Sequence, residues 1–164
     1  MGRITGYYTR FQNQVEMDAF YNDQEARFTY LSMNGIEKEH WGVEAAATFK
    51  LTSNLSLTAI GTWSDAKYIN NPNAVLTYES ENESTADRVY ADGMRVSGTP
   101  LSAYSLALDY NVNGWFLNLT GNYYHRVYVD FSSYRRLGSV LSKVSSGVDA
   151  NGNQVLYVPE QEEF

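Results

Sequence analysis

The sequence predicts an all-β fold, an antiparallel up-and-down meander forming part of the wall of a transmembrane β-barrel. Three observations carry this expectation. Apolar and polar residues alternate over runs of roughly ten residues, the period of a pleated strand with two different faces. The runs are joined in turn by a tight hinge and by a long polar loop. Thr52-Ser53-Asn54 and Asn113-Gly114 are the hinges, whereas about thirty residues between Tyr68 and Gly98 carry little strand pattern. Finally, ten residues at ~3.3 Å each, tilted by ~40°, rise about 25 Å, the height of a barrel's apolar band, while an ordinary strand averages about five or six residues.

Ile4-Thr5-Gly6-Tyr7-Tyr8 opens the chain with a strand pattern. In the second strand Trp41, Val43, Ala45, Ala47, Phe49 and Leu51 share one face, opposite Gly42, Glu44, Ala46, Thr48 and Lys50. The third sets Leu55, Leu57, Ala59, Gly61 and Trp63 against Ser56, Thr58, Thr62 and Ser64, with Ile60 the exception. The fourth sets Tyr104, Leu106, Leu108, Tyr110 and Val112 against Ser105, Ala107, Asp109 and Asn111. The fifth sets Trp115, Leu117, Leu119, Gly121 and Tyr123 against Asn118, Thr120 and Asn122, with Phe116 and Tyr124 mixed in.

The hinges test the register, because residues directly opposite in an antiparallel pair lie on one face. A three-residue hinge pairs Leu51 with Leu55 and, further up, Val43 with Trp63. An Asn-Gly type I′ turn pairs Val112 with Trp115, Tyr110 with Leu117 and Tyr104 with Tyr123. Both hairpins close with apolar faces aligned. Trp41, Val43, Phe49, Leu51, Leu55, Leu57, Trp63, Tyr104, Leu106, Leu108, Tyr110, Trp115, Leu117, Leu119 and Tyr123 are therefore expected to face lipid. Glu44, Lys50 and Asp109 would then face a polar lumen, since charge is costly against hydrocarbon.

Composition narrows the function classes. Cysteine is absent, which removes disulfides, Cys-based metal sites and a thiol nucleophile. A formal net charge of −7 argues against a nucleic-acid partner. The 14 Tyr, with 3 Trp and 7 Phe, fit either an ordinary all-β chain or an interfacial aromatic belt, and composition leaves both open. No apolar run reaches the ~18 residues of a membrane-spanning helix, which does not bear on strands that are apolar at every second position. Met1-Gly2-Arg3 leads straight into strand pattern without an apolar leader, so the chain is expected to be a fragment of a longer barrel protein.

Three stretches resemble the C-terminal half of the barrel of TonB-dependent outer-membrane receptors, in particular the SusC-like importers of Bacteroidetes. They are Gly6-Tyr7-Tyr8-Thr9-Arg10-Phe11, Asn34 followed by Trp41-Gly42-Val43-Glu44, and Gly98-Thr99-Pro100 leading into Leu106-Ala107-Leu108-Asp109-Tyr110. Tyr128-Val129-Asp130-Phe131 with Arg135-Arg136 fits as well. The resemblance implies about five strands of a barrel that closes with about twenty-two. It implies ascent over Ile4 to Asn13, descent over Gly35 to Leu51, ascent over Leu55 to Tyr68, descent over Pro100 to Val112 and ascent over Trp115 to Asp130. Outer loops would span 14–34, 69–98 and 131–164. It further implies a nutrient importer in the bacterial outer membrane, working on a glycan, peptide or metal chelate. Its partners would be outer-membrane lipid, the TonB complex through an N-terminal region outside this chain, and a SusD-like surface lipoprotein. The closing strand of such barrels ends in an aromatic; Phe164, in Glu162-Glu163-Phe164 after Pro159, does not end an alternating strand.

Outer-loop tyrosines Tyr21, Tyr30, Tyr68, Tyr78, Tyr90 and Tyr134 are the candidate substrate contacts, because aromatic faces stack on sugars, peptides and chelates. Asp65, Asp87, Asp92, Glu79, Glu81 and Glu83 make the ascending strand end and the long loop acidic, a set that would bind Ca²⁺ or repel anions, but their spacing lacks a calcium-loop pattern and reads as a solvated outer loop. Asp149, Asn151 and Asn153 place Gly152 too early for an EF-hand, and Asn151-Gly152 reads as a hairpin tip. His40 and His125 have no His neighbour, and no Ser/His/Asp, phosphate-loop or paired-carboxylate arrangement stands out. Neither an enzyme nor a cofactor or metal site is expected. The rival expectation is a soluble β-sandwich that binds carbohydrate through exposed aromatics, as an adhesin or carbohydrate-binding module does.

Overall fold

Both hinges close in the expected register. In the computed structural model, which describes residues 1–23, 26–79, 84–144 and 146–163, strand β2 (Arg27–Lys50) turns back into β3 (Leu55–Tyr68). Val43 lies opposite Trp63 and Phe49 opposite Leu57, and the Leu51 amide donates to the Leu55 carbonyl at 2.9 Å. Strand β6 (Ser102–Val112) turns into β7 (Trp115–His125) with Val112 opposite Trp115 and Tyr104 opposite Tyr123. Asn113 (φ 48°) and Gly114 (φ 82°) both take the left-handed conformation that a type I′ turn demands.

Strand β1 (Gly2–Asn22) pairs β2 along its length, and β3 pairs β6, so β1-β2-β3-β6-β7 form one antiparallel meander. The cross-strand pairs chain across it: Ile4 to Ala45, Ala45 to Gly61, Gly61 to Tyr104 and Tyr104 to Tyr123. Every residue expected on the apolar face falls on this one face. Tyr7, Phe11, Ile60, Phe116 and Tyr124 are among the large apolar residues on the other, and all five are exposed. Two glycines tighten the weave. A Cβ at Gly42 would meet the Tyr7 hydroxyl oxygen at 2.7 Å, and one at Gly61 would meet Tyr104 Cδ1 at 3.0 Å, so each accepts the ring of its cross-strand neighbour.

The expected outer loops are largely ordered, which corrects their boundaries. Residues 14–34 are not a loop: β1 continues to Asn22 and β2 begins at Arg27. A bulge separates the two halves of this hairpin, where the register slips between Phe11 and Gln14 and between Gln14 and Val15, with Asn13 (φ 55°) and Gly35 (φ 71°) left-handed. Because the bulge inserts a residue, it inverts face parity. Beyond it the odd residues Thr29, Leu31 and Met33 join Ile36 on the polar-face side, and an alternation read in one parity breaks there.

Segment 69–98 is likewise built. Strands β4 (Asn73–Tyr78) and β5 (Ser84–Arg88) form a hairpin, and β4 pairs the loop end of β2 where β3 has left off. Residues Met94 and Val96 then bond the end of β3, with Tyr68 N to Met94 O and Val96 N to Ala66 O both at 2.8 Å. The tail holds a 3-10 turn (Tyr134–Arg136), helix α1 (Gly138–Val144) and a hairpin of β8 (Ser146–Val148) and β9 (Gln154–Leu156). Asp149 caps that last hairpin by accepting from the Asn151 and Asn153 amides at 2.8 and 2.9 Å, which holds its carboxyl below the usual range. Glu81, Glu83 and Phe164 lie outside the described residues.

The hydrophobic core sits at the loop end, on the polar-face side of the sheet. Leu31, Met33 and Ile36 of β2, Tyr68 of β3 and Ala74 and Leu76 of β4 are buried under Val89, Ala91 and Leu137. The hinge end is one sheet thick, with neither face covered, and among the described residues the sheet does not close on itself. The 18.6 kDa chain accordingly exposes 11087 Å², against roughly 8,200 Å² for a compact soluble protein of that mass.

Candidate functional site

A cavity of about 900 Å³ opens at the loop end, between β1 and the 3-10 turn with α1. Its position follows from the bulge: with parity inverted, Asp18 and Phe20 of β1 lie opposite Leu31 and Thr29 and so face the core side. The tail supplies the other wall, Asp130, Phe131, Tyr134 and Arg135, with Lys143 from the helix. The Phe20 and Tyr134 rings pack at 5.1 Å, and the Tyr134 hydroxyl accepts from Asn22 Nδ2 at 3.1 Å. Asp18, Asp23 and Asp130 outnumber Arg135 and Lys143 on the lining. Aromatic faces beside carboxylates suit a polyhydroxylated or cationic ligand, whose apolar faces stack while its donors meet the acids.

Beside this cavity a polar cluster stiffens the wall. Lys38 ion-pairs Glu16 and lies over the Tyr68 ring at 4.5 Å from its centroid, while the Tyr68 hydroxyl donates to Glu16 Oε2 at 3.2 Å. Burial first, then the Glu16 charge, pushes the Tyr68 hydroxyl well above its ordinary pKa. The Tyr68 ring meets Phe131 edge-on at 5.3 Å, tying the cluster to the cavity wall. Arg136 is buried below Phe131 and donates to the Pro159 carbonyl at 2.5 Å; burial lowers its pKa.

Of the six candidate tyrosines, Tyr21 and Tyr134 line the cavity, and Tyr68 reaches it through Phe131. The others are not brought there. Tyr30 points from the opposite side of β2, half-exposed; Tyr78 packs on the core with the Arg27 guanidinium 4.1 Å from its ring centroid; Tyr90 abuts Gly138. Sequence reasoning missed Asp18 and Phe20, whose facing depends on the bulge, and Asp130 and Phe131, which alternation alone does not single out. The loop carboxylates disperse: Asp65 binds two arginines, and Asp87 accepts from the Ser139 amide and hydroxyl at 3.1 and 2.6 Å. Among the described residues no three His, Asp or Glu side chains gather as a metal site. His40 packs edge-on against Phe11 at 5.1 Å on the polar face, and His125 stands on the apolar face of β7, so the two histidines do not meet.

The apolar face has its own order. Tyr8, Trp41 and Trp63 form a row toward the loop end, the two indoles 5.1 Å apart, and Tyr110 and Trp115 mark the hinge end. Immediately beyond the upper row come ion pairs: Arg10 with Glu37 at 2.6 Å, Lys67 with Glu39 at 3.8 Å, and Asp65 with Arg95 and Arg126 at 2.8 and 3.1 Å. On the polar face of the meander, Asn118 donates to Asp109 at 2.6 Å and the Thr48 and Thr58 hydroxyls meet at 3.2 Å. Among the described residues no helix is long and apolar enough to cross a membrane, which says nothing of strands. No protein-family model, curated protein or solved structure matches the chain.

Proposed function

We propose that this chain is a piece of barrel wall from a TonB-dependent receptor of the bacterial outer membrane, one that binds a nutrient at its outer mouth and imports it without chemical conversion. The barrel would close with about twenty-two strands, of which the meander supplies five. Energy would come from the TonB complex, and a SusD-like lipoprotein would be the surface partner. One observation carries the reading: an uncovered apolar face, edged by aromatics at both ends, backs a polar face whose loop end holds a cavity. Apolar-out and polar-in alternation with short turns at one end and long connections at the other is the pattern of an outer-membrane barrel. The cavity lies on the polar side, where a lumen would be, and its aromatic and carboxylate lining suits a glycan or a cationic peptide.

The test is uptake by cells carrying the full-length protein, measured for a panel of oligosaccharides, peptides and iron chelates with and without a proton uncoupler. The expected result is accumulation of at least one of them that uncoupling abolishes and Tyr134→Ala reduces about tenfold, the loss of ~1.4 kcal/mol of stacking. Absence of any uncoupler-sensitive uptake would overturn the assignment.

A further inference from the structure

The apolar face is not uniformly knobbly. Where β1, β2, β3 and β6 cross its middle, Ala47, Ala59 and Gly61 form the floor of a trough of about 820 Å³, walled by Phe49, Tyr104 and Leu106. Gly61 shapes its end, because the missing Cβ lets the Tyr104 ring lean across β3. Four residues along β3 from Gly61, or ~13 Å, Asp65 Oδ1 forms an ion pair with Arg95 Nε at 2.8 Å and accepts a hydrogen bond from Arg126 Nη2 at 3.1 Å. Two guanidinium groups on one carboxylate leave a net positive charge. Their side chains keep 29% and 18% of their surface open, so a further anion can reach them. Arg126 holds φ 59°, a left-handed conformation uncommon outside glycine, and its guanidinium returns to within 5.8 Å of the Trp63 ring centroid, at the upper aromatic row.

We propose that this strip of β3 seats one phosphate-bearing lipid, with an acyl chain in the trough and the headgroup phosphate on Arg95 and Arg126. The proposal rests on the membrane reading above. The separation fits, since a leaflet's hydrocarbon is ~15 Å deep and its phosphates lie just outside it. Charge-assisted, planar guanidinium contacts favour phosphate oxygens, and the adjoining trough is what distinguishes a lipid from a free anion as the occupant. A net excess of one cation gives roughly a fivefold preference for an anionic over a zwitterionic lipid.

The test uses the full-length protein reconstituted into phosphatidylcholine vesicles containing phosphatidylglycerol. Tail-brominated phosphatidylglycerol or tail-brominated phosphatidylcholine is the quencher of tryptophan fluorescence near Trp63. Wild type should be quenched about fivefold more effectively by the anionic lipid. Arg126→Gln and, as an independent variant, Arg95→Gln should each bring that ratio close to one, whereas Arg88→Gln should leave it unchanged. Ala59→Phe should fill the trough and weaken quenching by both lipids, and excess inorganic phosphate should not displace the lipid. Protein that floats with the vesicles but shows equal quenching by the two lipids would overturn the proposal alone. Protein that fails to float with any vesicle would overturn the membrane reading with it.

Discussion

Replacing Leu106 with Arg asks directly which solvent the apolar face meets. Leu106 is 56% exposed and lies opposite Ala59 on one side and Gly121 on the other, so its side chain stands over small neighbours with little to shelter it. It is four residues from Tyr110 toward the hinge and two from Tyr104 toward the loop end, between the two aromatic rows. In a bilayer that position falls near the midplane, where an arginine destabilises a barrel by ~2–4 kcal/mol, or roughly 30- to 1,000-fold in the folding equilibrium. In water the same change at a half-exposed strand position costs at most about 0.5 kcal/mol. Ser105→Arg is the matched control, since Ser105 pairs Ile60 and Asn122 on the polar face and a lumen hydrates its guanidinium. The assay is the heat-dependent band shift of the full-length protein refolded into vesicles across a urea series. Equal midpoints for the two variants would refute the facing assigned to the whole apolar strip.

Three further outcomes follow from particular contacts. Gly42→Val should destabilise by ~1–3 kcal/mol, because its Cβ falls 2.7 Å from the Tyr7 hydroxyl and 2.8 Å from Ser64 Cβ; a urea midpoint unchanged from wild type would contradict the packing. Burial and Glu16 raise the Tyr68 pKa, so the folded state holds its proton more tightly than the unfolded chain, and the stability this contributes, complete below the ordinary tyrosine value, declines as pH rises past about 10. Tyr68→Phe should flatten that alkaline decline, and urea midpoints measured between pH 8 and pH 11 check it. The isolated chain in buffer without detergent should aggregate, its apolar face lying uncovered; a monodisperse monomer with a cooperative thermal transition would favour the soluble sandwich instead.

The meander was legible because strand parity and hinge length are local properties. Leu51 with Leu55 and Val112 with Trp115 anchor registers that then propagate for about ten residues without further information. Legibility ended at Gly35 and Asn13. There one extra residue in each strand inverts parity, so the alternation does not carry through and residues 14–34 read as loop. The β4–β5 hairpin was hidden differently: its strands are short, and β4 is held by the loop end of β2, a partner set by tertiary placement. Of the tyrosines that the sequence singles out, Tyr21 and Tyr134 line the cavity. Its other walls, Asp18 and Phe20 against Asp130 and Phe131, are brought together by contacts across more than a hundred positions, which no local pattern encodes.

The placement of the core supplies the strongest physical argument about environment. A sheet in water gains most by covering its apolar face, since each fully buried leucine contributes about 1.5–3 kcal/mol. This chain does the reverse. Its loops fold over the polar-face side at the loop end, burying Leu31, Met33, Val89 and Leu137, while Leu106, Leu117 and Leu119 remain more than half exposed on the apolar face. The segments available for covering are ordered and committed: Asp87 fixes the start of α1 through Ser139, and Arg136 fixes the tail through Pro159. Among the described residues the outer edges of β1 and β7 also pair with no strand, so further strands can extend the sheet on either side. A sheet that reserves its apolar face and its edges while it orders its polar end is consistent with a wall whose outer solvent is hydrocarbon and whose neighbours are more of the same wall.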